Sequence, residues 1–192
     1  MRKIRIITGG IGSGKSFVSN LLRKQGIDVY DCDDAAKRIM RNDAEVREQL
    51  TQLIGEGTYD GDLLNKAKVS RFLLASDRNT QRINDIVHPA VVRDFLASDY
   101  TWMESAIYYE ADIAGRFAEC GIEAKDCVVI CVSAPLDVRI DRVMKRDGIS
   151  RQMALAWIDK QMPQEEKEIA SDYVIVNDGC SDLEKQIDAI LR

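Results

Sequence analysis

The residues with the clearest chemical potential stand near the start of the chain: Gly9-Gly10-Ile11-Gly12-Ser13-Gly14-Lys15-Ser16, a match to G-x-x-x-x-G-K-[ST]. Glycines let the backbone take positive φ, so successive N–H groups can converge as an anion nest. A helix opening at Lys15 adds the partial positive charge of its N-terminus. Gly10, Ile11, Gly12, Ser13 and Gly14 would cradle the phosphates of a nucleoside triphosphate. Lys15 would reach the β and γ groups, and Ser16 would offer its hydroxyl to Mg²⁺. The plainer alternative is a flexible glycine turn beside an ordinary helix cap.

Such a loop does not by itself separate a small-molecule kinase from a GTPase switch or a motor ATPase. A guanine switch needs Asn-Lys-x-Asp, and the only Asn-Lys, in Asn65-Lys66-Ala67-Lys68, ends in Lys. Motor and helicase modules are generally larger. Asp31-Cys32-Asp33 favours a kinase: at an extended strand end Asp31 and Asp33 share one side, where a carboxylate can take a hydroxyl's proton or hold metal-bound water. The same stretch also reads as a cap, with Asp33 or Asp34 opening the helix of Ala35, Ala36 and Ile39. Arg142 and Arg146 lie four apart, with Arg139 one turn earlier. They suit a mobile lid that neutralises a transferring phosphoryl group and excludes water, or simply a solvated charged face.

The elements that must position these groups follow from periodicity. Apolar runs at 2–8, 29–33, 101–107, 127–133 and 172–177 read as strands, and Phe17, Val18, Leu21 and Leu22 form a helical stripe, as do Leu183, Ile187, Ile190 and Leu191. Residues 34–98 carry helical patterns and no convincing strand. The expected fold is α/β, a P-loop kinase with a five-stranded parallel sheet and helices on both faces. It is a single domain over 1–192, in which 34–98 is a helical insertion and 139–171 an inserted helical lid.

Composition bounds the partners. With 192 residues, 45% hydrophobic and 31% charged, the chain can bury one sizeable core. Twenty-seven Lys+Arg against 32 Asp+Glu leave a net charge of −5, which disfavours nucleic-acid binding. No window suits a membrane span. Five cysteines, odd in number and without Cys-x-x-Cys, fit reduced thiols of the cytoplasm. The chain is expected to be a monomer or small homo-oligomer.

The ordered set of motifs resembles the dephospho-coenzyme A kinase family. It comprises the loop from Ile7 to Ser16, Asp31-Cys32-Asp33, His88-Pro89, Lys145-Arg146-Asp147-Gly148, Gln161-Met162-Pro163-Gln164-Glu165-Glu166-Lys167 and the run from Asp172 to Asn177. The resemblance covers nearly the whole chain and implies phosphorylation of the 3′-hydroxyl of dephospho-CoA by ATP, the last step of CoA synthesis. It implies that Asp33 contacts the acceptor ribose as general base, that His88 and Glu110 bind acceptor, that Arg142 and Arg146 are lid arginines, and that Asn177 with Gly179 lies near the adenine. His88 also reads as a core histidine locked before Pro89.

Three departures stand out. Where the family often has Asp-x-Pro-Leu-Leu-Phe-Glu, this chain has Glu104-Ser105-Ala106-Ile107-Tyr108-Tyr109-Glu110. Glu104, charged inside an apolar strand, is a candidate for contact with Mg²⁺ through water, or else a surface-edge residue. Val176 replaces a frequent Asp, and Glu168 a common Arg. The rival readings are a P-loop kinase for a nucleoside monophosphate or another hydroxyl metabolite, and a nucleotide-sensing module without catalysis.

Overall fold

The computed structural model describes residues 3–192, so Arg2, expected at the head of the first strand, lies outside the described residues. The chain runs β1 (Ile4–Thr8), α1 (Lys15–Lys24), β2 (Val29–Asp31), α2 (Cys32–Asn42), α3 (Ala44–Ile54), β3 (Tyr59–Asp60), β4 (Leu63–Leu64), α4 (Lys66–Ala75) and α5 (Asp77–Ala97). It continues through β5 (Trp102–Glu104), α6 (Ile113–Glu119), β6 (Cys127–Ser133), α7 (Leu136–Asp147), α8 (Arg151–Ile158), α9 (Gln164–Ile169), β7 (Tyr173–Val176) and α10 (Leu183–Leu191). It divides into two compact units: residues up to Tyr30 with Tyr100–Arg192, and Asp31–Asp99.

The first unit is built on a sheet of order β2-β5-β1-β6-β7. β1 runs parallel to β5 and β6, and β6 parallel to β7. Parallel neighbours require helical crossovers, which is why the strands are apolar on both sides. On one side Ile7, Trp102, Ile130, Val132 and Ile175 pack against Val18, Leu21 and Leu22 of α1 and Ile187 of α10. The strand period of two turns Ile4, Ile6 and Cys131, all buried, to the other side, where α9 lies on β6. Each such buried side chain contributes about 1.5–3 kcal/mol. Beyond the sheet, Ile140 and Val143 of α7 pack on Ala154 and Ile158 of α8.

In the second unit α5 is the central helix, touching α2, α3 and α4 through a stripe that includes Ile83, Val87, Val91 and Phe95. Pro89 lies inside α5, where it removes one helical hydrogen bond. Three expectations are corrected here. Residues 34–98 do contain strand, a hairpin in which Tyr59 pairs with Leu64 and Asp60 with Leu63. Its two-residue turn is Gly61-Asp62, with Gly61 at φ 56, so a Gly-Asp turn signal was present in the sequence. The second strand ends at Asp31, not at residue 33, because the Asp31 side chain accepts the Asp34 amide at 3.0 Å and starts α2 at Cys32. Asp31 and Asp33 therefore do not alternate along a strand. β5 likewise stops at Glu104 rather than 107, since pairing with β1 ends after Ile7 accepts the Ser105 amide.

Candidate active site

The loop after β1 is shaped by a turn in which the Ser13 amide donates to Gly10 O at 3.1 Å. Gly12 has φ 79, and an ideal Cβ there would lie 2.5 Å from the Arg139 carbonyl oxygen, so both conformation and space demand glycine. Gly14 caps α1 with no side-chain hydrogen bond and no acid in the first turn. By contrast, Asp31, Asp43, Asn65, Ser76, Ser150 and Asp182 cap α2, α3, α4, α5, α8 and α10 with side-chain oxygens. The N-terminal amides of α1 thus keep their partial charge unquenched, as an anion site requires. Lys15 Nζ reaches back to Gly10 O at 3.3 Å.

Glu104 sits where strand alternation puts it, two residues after Trp102 and on the same side as α1. It is 7% exposed. Ser16 donates to its Oε1 at 2.8 Å and Ser19 to its Oε2 at 2.7 Å. Two charge-assisted bonds satisfy a carboxylate that would otherwise be costly to bury, and the surface-edge reading of Glu104 is thereby replaced. Because Ser16 gives its proton to Glu104, its oxygen lone pairs stay available. Thr8 Oγ1 and Ser13 Oγ are buried polar atoms without a partner. Among the described residues no three His, Cys, Asp or Glu side chains cluster as a metal site.

The arginines divide their roles. Arg142 donates to Ser13 O at 3.2 Å and to Asn177 Oδ1 at 3.2 Å, and Asn177 Nδ2 donates to Ser13 O at 2.8 Å. Arg146 instead turns to the neighbouring Asp147, at 2.7 Å, on the surface, and holds that carboxyl below its usual range. Arg139, one turn before Arg142 in the candidate lid stripe, is 4% exposed. Its Nε donates to Ile11 O at 3.0 Å. Burial lowers its pKa, while Glu165, Cys131 and Glu168 favour the charge.

Ser19 and two glutamines of the 161–167 motif, to which the sequence assigns no role, also meet the loop or its carboxylate. Ile11 N donates to Gln161 Oε1 and Gly10 N to Gln164 Oε1. The i, i+3 step from Arg139 to Arg142 and from Ser16 to Ser19 was the signal available. Glu110 meets the fully buried Lys167 at 2.7 Å and accepts the Met162 amide at 3.0 Å. In the second unit, Asp33 is exposed on the first turn of α2 and is not the cap, while His88 is half-buried on α5 beside Pro89.

The sequence profile of the dephospho-CoA kinase family matches residues 4–182. The chain belongs to that family. A dephospho-CoA kinase of Bacteroides fragilis is 38% identical over 188 residues, covering 94% of this chain and 87% of that protein. The crystal structure of the Thermus thermophilus protein TT1252 superposes with TM-score 0.79 at 32% identity, covering all of this chain and 97% of that one. Shikimate kinase from Acinetobacter baumannii shares the fold alone, with TM-score 0.56 at 11% identity over 98% of this chain and 90% of its own. Family membership makes the chain a kinase that uses ATP and acts on a small molecule. No helix among the described residues is long and apolar enough to cross a membrane.

Proposed function

We propose that this chain transfers the γ-phosphoryl group of MgATP to the 3′-hydroxyl of dephospho-CoA, giving coenzyme A and ADP. The observation that carries the reading is the bare N-terminus of α1 behind Gly12 and Gly14, opening on Lys15 and Ser16, in a chain of this family. The amides of Gly12 and of Gly14 to Ser16 bind the phosphates, while those of Gly10, Ile11 and Ser13, expected in the same cradle, are taken up by Gln164, Gln161 and Gly10 O. Lys15 leaves Gly10 O for the β and γ groups. Arg142, steadied by Asn177 near the adenine, neutralises charge on the transferring group. Arg146 joins it by releasing Asp147, a surface pair that solvent screens.

A hard cation fits the donors: a serine oxygen with open lone pairs, backed by a carboxylate. Ser16 would hold Mg²⁺ directly and Glu104 through water. Bound there, the ion offsets charge on the phosphate oxygens. Asp33, relieved of capping by Asp31, takes the proton of the attacking hydroxyl, and His88 and Glu110 bind the acceptor. Five cysteines with no disulfide among the described residues support a cytoplasmic setting. A monomer or small homo-oligomer is consistent with this chemistry.

The test is coupled ADP release across acceptors. Dephospho-CoA should be turned over and nucleoside monophosphates should not. A nucleotide active with dephospho-CoA inert would make this another P-loop kinase, and tight ATP binding with no acceptor turned over would make it a sensing module.

A further inference from the structure

We infer that Gln161 and Gln164 are positioning residues for phosphoryl transfer, holding the phosphate loop in its working shape through the amides of Ile11 and Gly10. The inference rests on the kinase reading above and assigns these two side chains a part in it.

Ile11 N donates to Gln161 Oε1 at 2.6 Å, and Gly10 N to Gln164 Oε1 at 3.0 Å. The Ile11 N–H and the Gly10 carbonyl belong to one peptide. Drawing on the N–H polarises the carbonyl, which itself receives Ser13 N at 3.1 Å and Lys15 Nζ at 3.3 Å. Gln161 therefore acts on both the turn that shapes the loop and the resting contact of Lys15. Both acceptors are neutral amides. They satisfy two loop N–H groups without setting a full negative charge beside a triphosphate.

The orientation of Gln164 is fixed by its other end. It is 7% exposed, and its Nε2 donates to Glu168 Oε1 at 3.2 Å and Val132 O at 3.4 Å. Reversing the amide would point its oxygen at that carboxylate and its N–H at the Gly10 N–H. Glu168 is held in turn by Ser133 Oγ at 2.5 Å. An arginine at 168, common in the family, has no acceptor for Nε2. Glu168 thus aims Gln164 at the loop. Between the two glutamines, Met162 N is tied to Glu110, which pairs with Lys167, whose Nζ also donates to Ala106 O at 2.9 Å. The 161–164 segment is anchored at both sides, so the loop keeps its shape while that segment is docked.

The test uses the full chain with Gln161→Met, which keeps length and volume but lacks an acceptor, and Gln161→Glu, which restores one with a charge. Gln161→Met should speed hydrogen exchange of the Ile11 amide at least tenfold in the unliganded protein. It should also lower kcat at saturating substrates at least tenfold. Gln161→Glu should restore Ile11 protection and recover most of kcat while raising KM for MgATP severalfold. Should Gln161→Met fail to fold, Gln161→Asn, too short to reach, carries the same expectations. Unchanged kcat in Gln161→Met, unchanged Ile11 exchange, or Gln161→Glu as slow as Gln161→Met overturns the inference. Exchange does not depend on the acceptor, so a wild type inactive on dephospho-CoA would sink the functional reading separately.

Discussion

Replacing Gly12 by alanine separates two costs that the structure makes distinct. The first is backbone strain: φ is 79, and an L residue there costs about 1 kcal/mol. The second is contact, because the new Cβ would lie 2.5 Å from Arg139 O and 3.0 Å from Arg139 C, where ordinary contact begins at 3.4 Å. Arg139 is carried by α7, fixed through Ile140 and Val143 against α8, so the loop rather than the helix must give, by about 1 Å. Misplacing a substrate-holding group by that distance costs roughly 10²-fold in rate, about 2.7 kcal/mol of barrier. Gly26 supplies the control: φ is 81 and nothing lies within 4 Å, so Gly26→Ala carries the strain without the contact. Gly12→Ala should therefore lose about 10²-fold in kcat by coupled ADP release and several degrees in Tm. Gly26→Ala should lose only a few degrees. Gly12→Ala with kcat within threefold of wild type, or Gly26→Ala losing comparable activity, would refute the reasoning.

Asp33→Asn should lower kcat by roughly 10²-fold or more with Tm unchanged, whereas Asp31→Ala should cost about 1 kcal/mol of stability in a denaturant melt by removing the α2 cap. Glu110→Ala leaves the ammonium of Lys167 buried without its partner and should cost roughly 3 kcal/mol by urea unfolding. Burial pushes the Cys131 thiol from 9.0 up to about 11. The folded chain then holds this proton more tightly than the unfolded chain, so its contribution is complete below pH 9. That contribution, roughly 3 kcal/mol at most, is lost as pH climbs to about 11. Unfolding free energy should fall across that window more in wild type than in Cys131→Ala. Iodoacetamide at neutral pH should label the exposed Cys120 and Cys180 and spare the buried Cys32 and Cys131 in the folded chain.

The phosphate loop was legible because its chemistry is local: Gly12, Gly14, Lys15 and Ser16 act through backbone conformation and adjacency. The sheet was legible because short, nearly continuous apolar runs need no knowledge of partners. Strand ends were not, since a single side-chain bond from Asp31 to the Asp34 amide decides where β2 yields to α2. Arg139 and Arg142 look equivalent as a stripe, yet one is buried under the loop and the other grips Ser13 and Asn177. The glutamines at 161 and 164 and the Lys167–Glu110 pair depend on contacts between residues far apart in the chain, such as the 154-residue separation from Gly10 to Gln164. No local pattern carries that information.

The central claim is tested most directly by phosphorus NMR of wild-type protein incubated with ATP, magnesium and dephospho-CoA. A new phosphomonoester at the ribose 3′ position, formed in step with ADP, is the predicted result. ATP consumed without that ester, or an ester at any other hydroxyl, would contradict it.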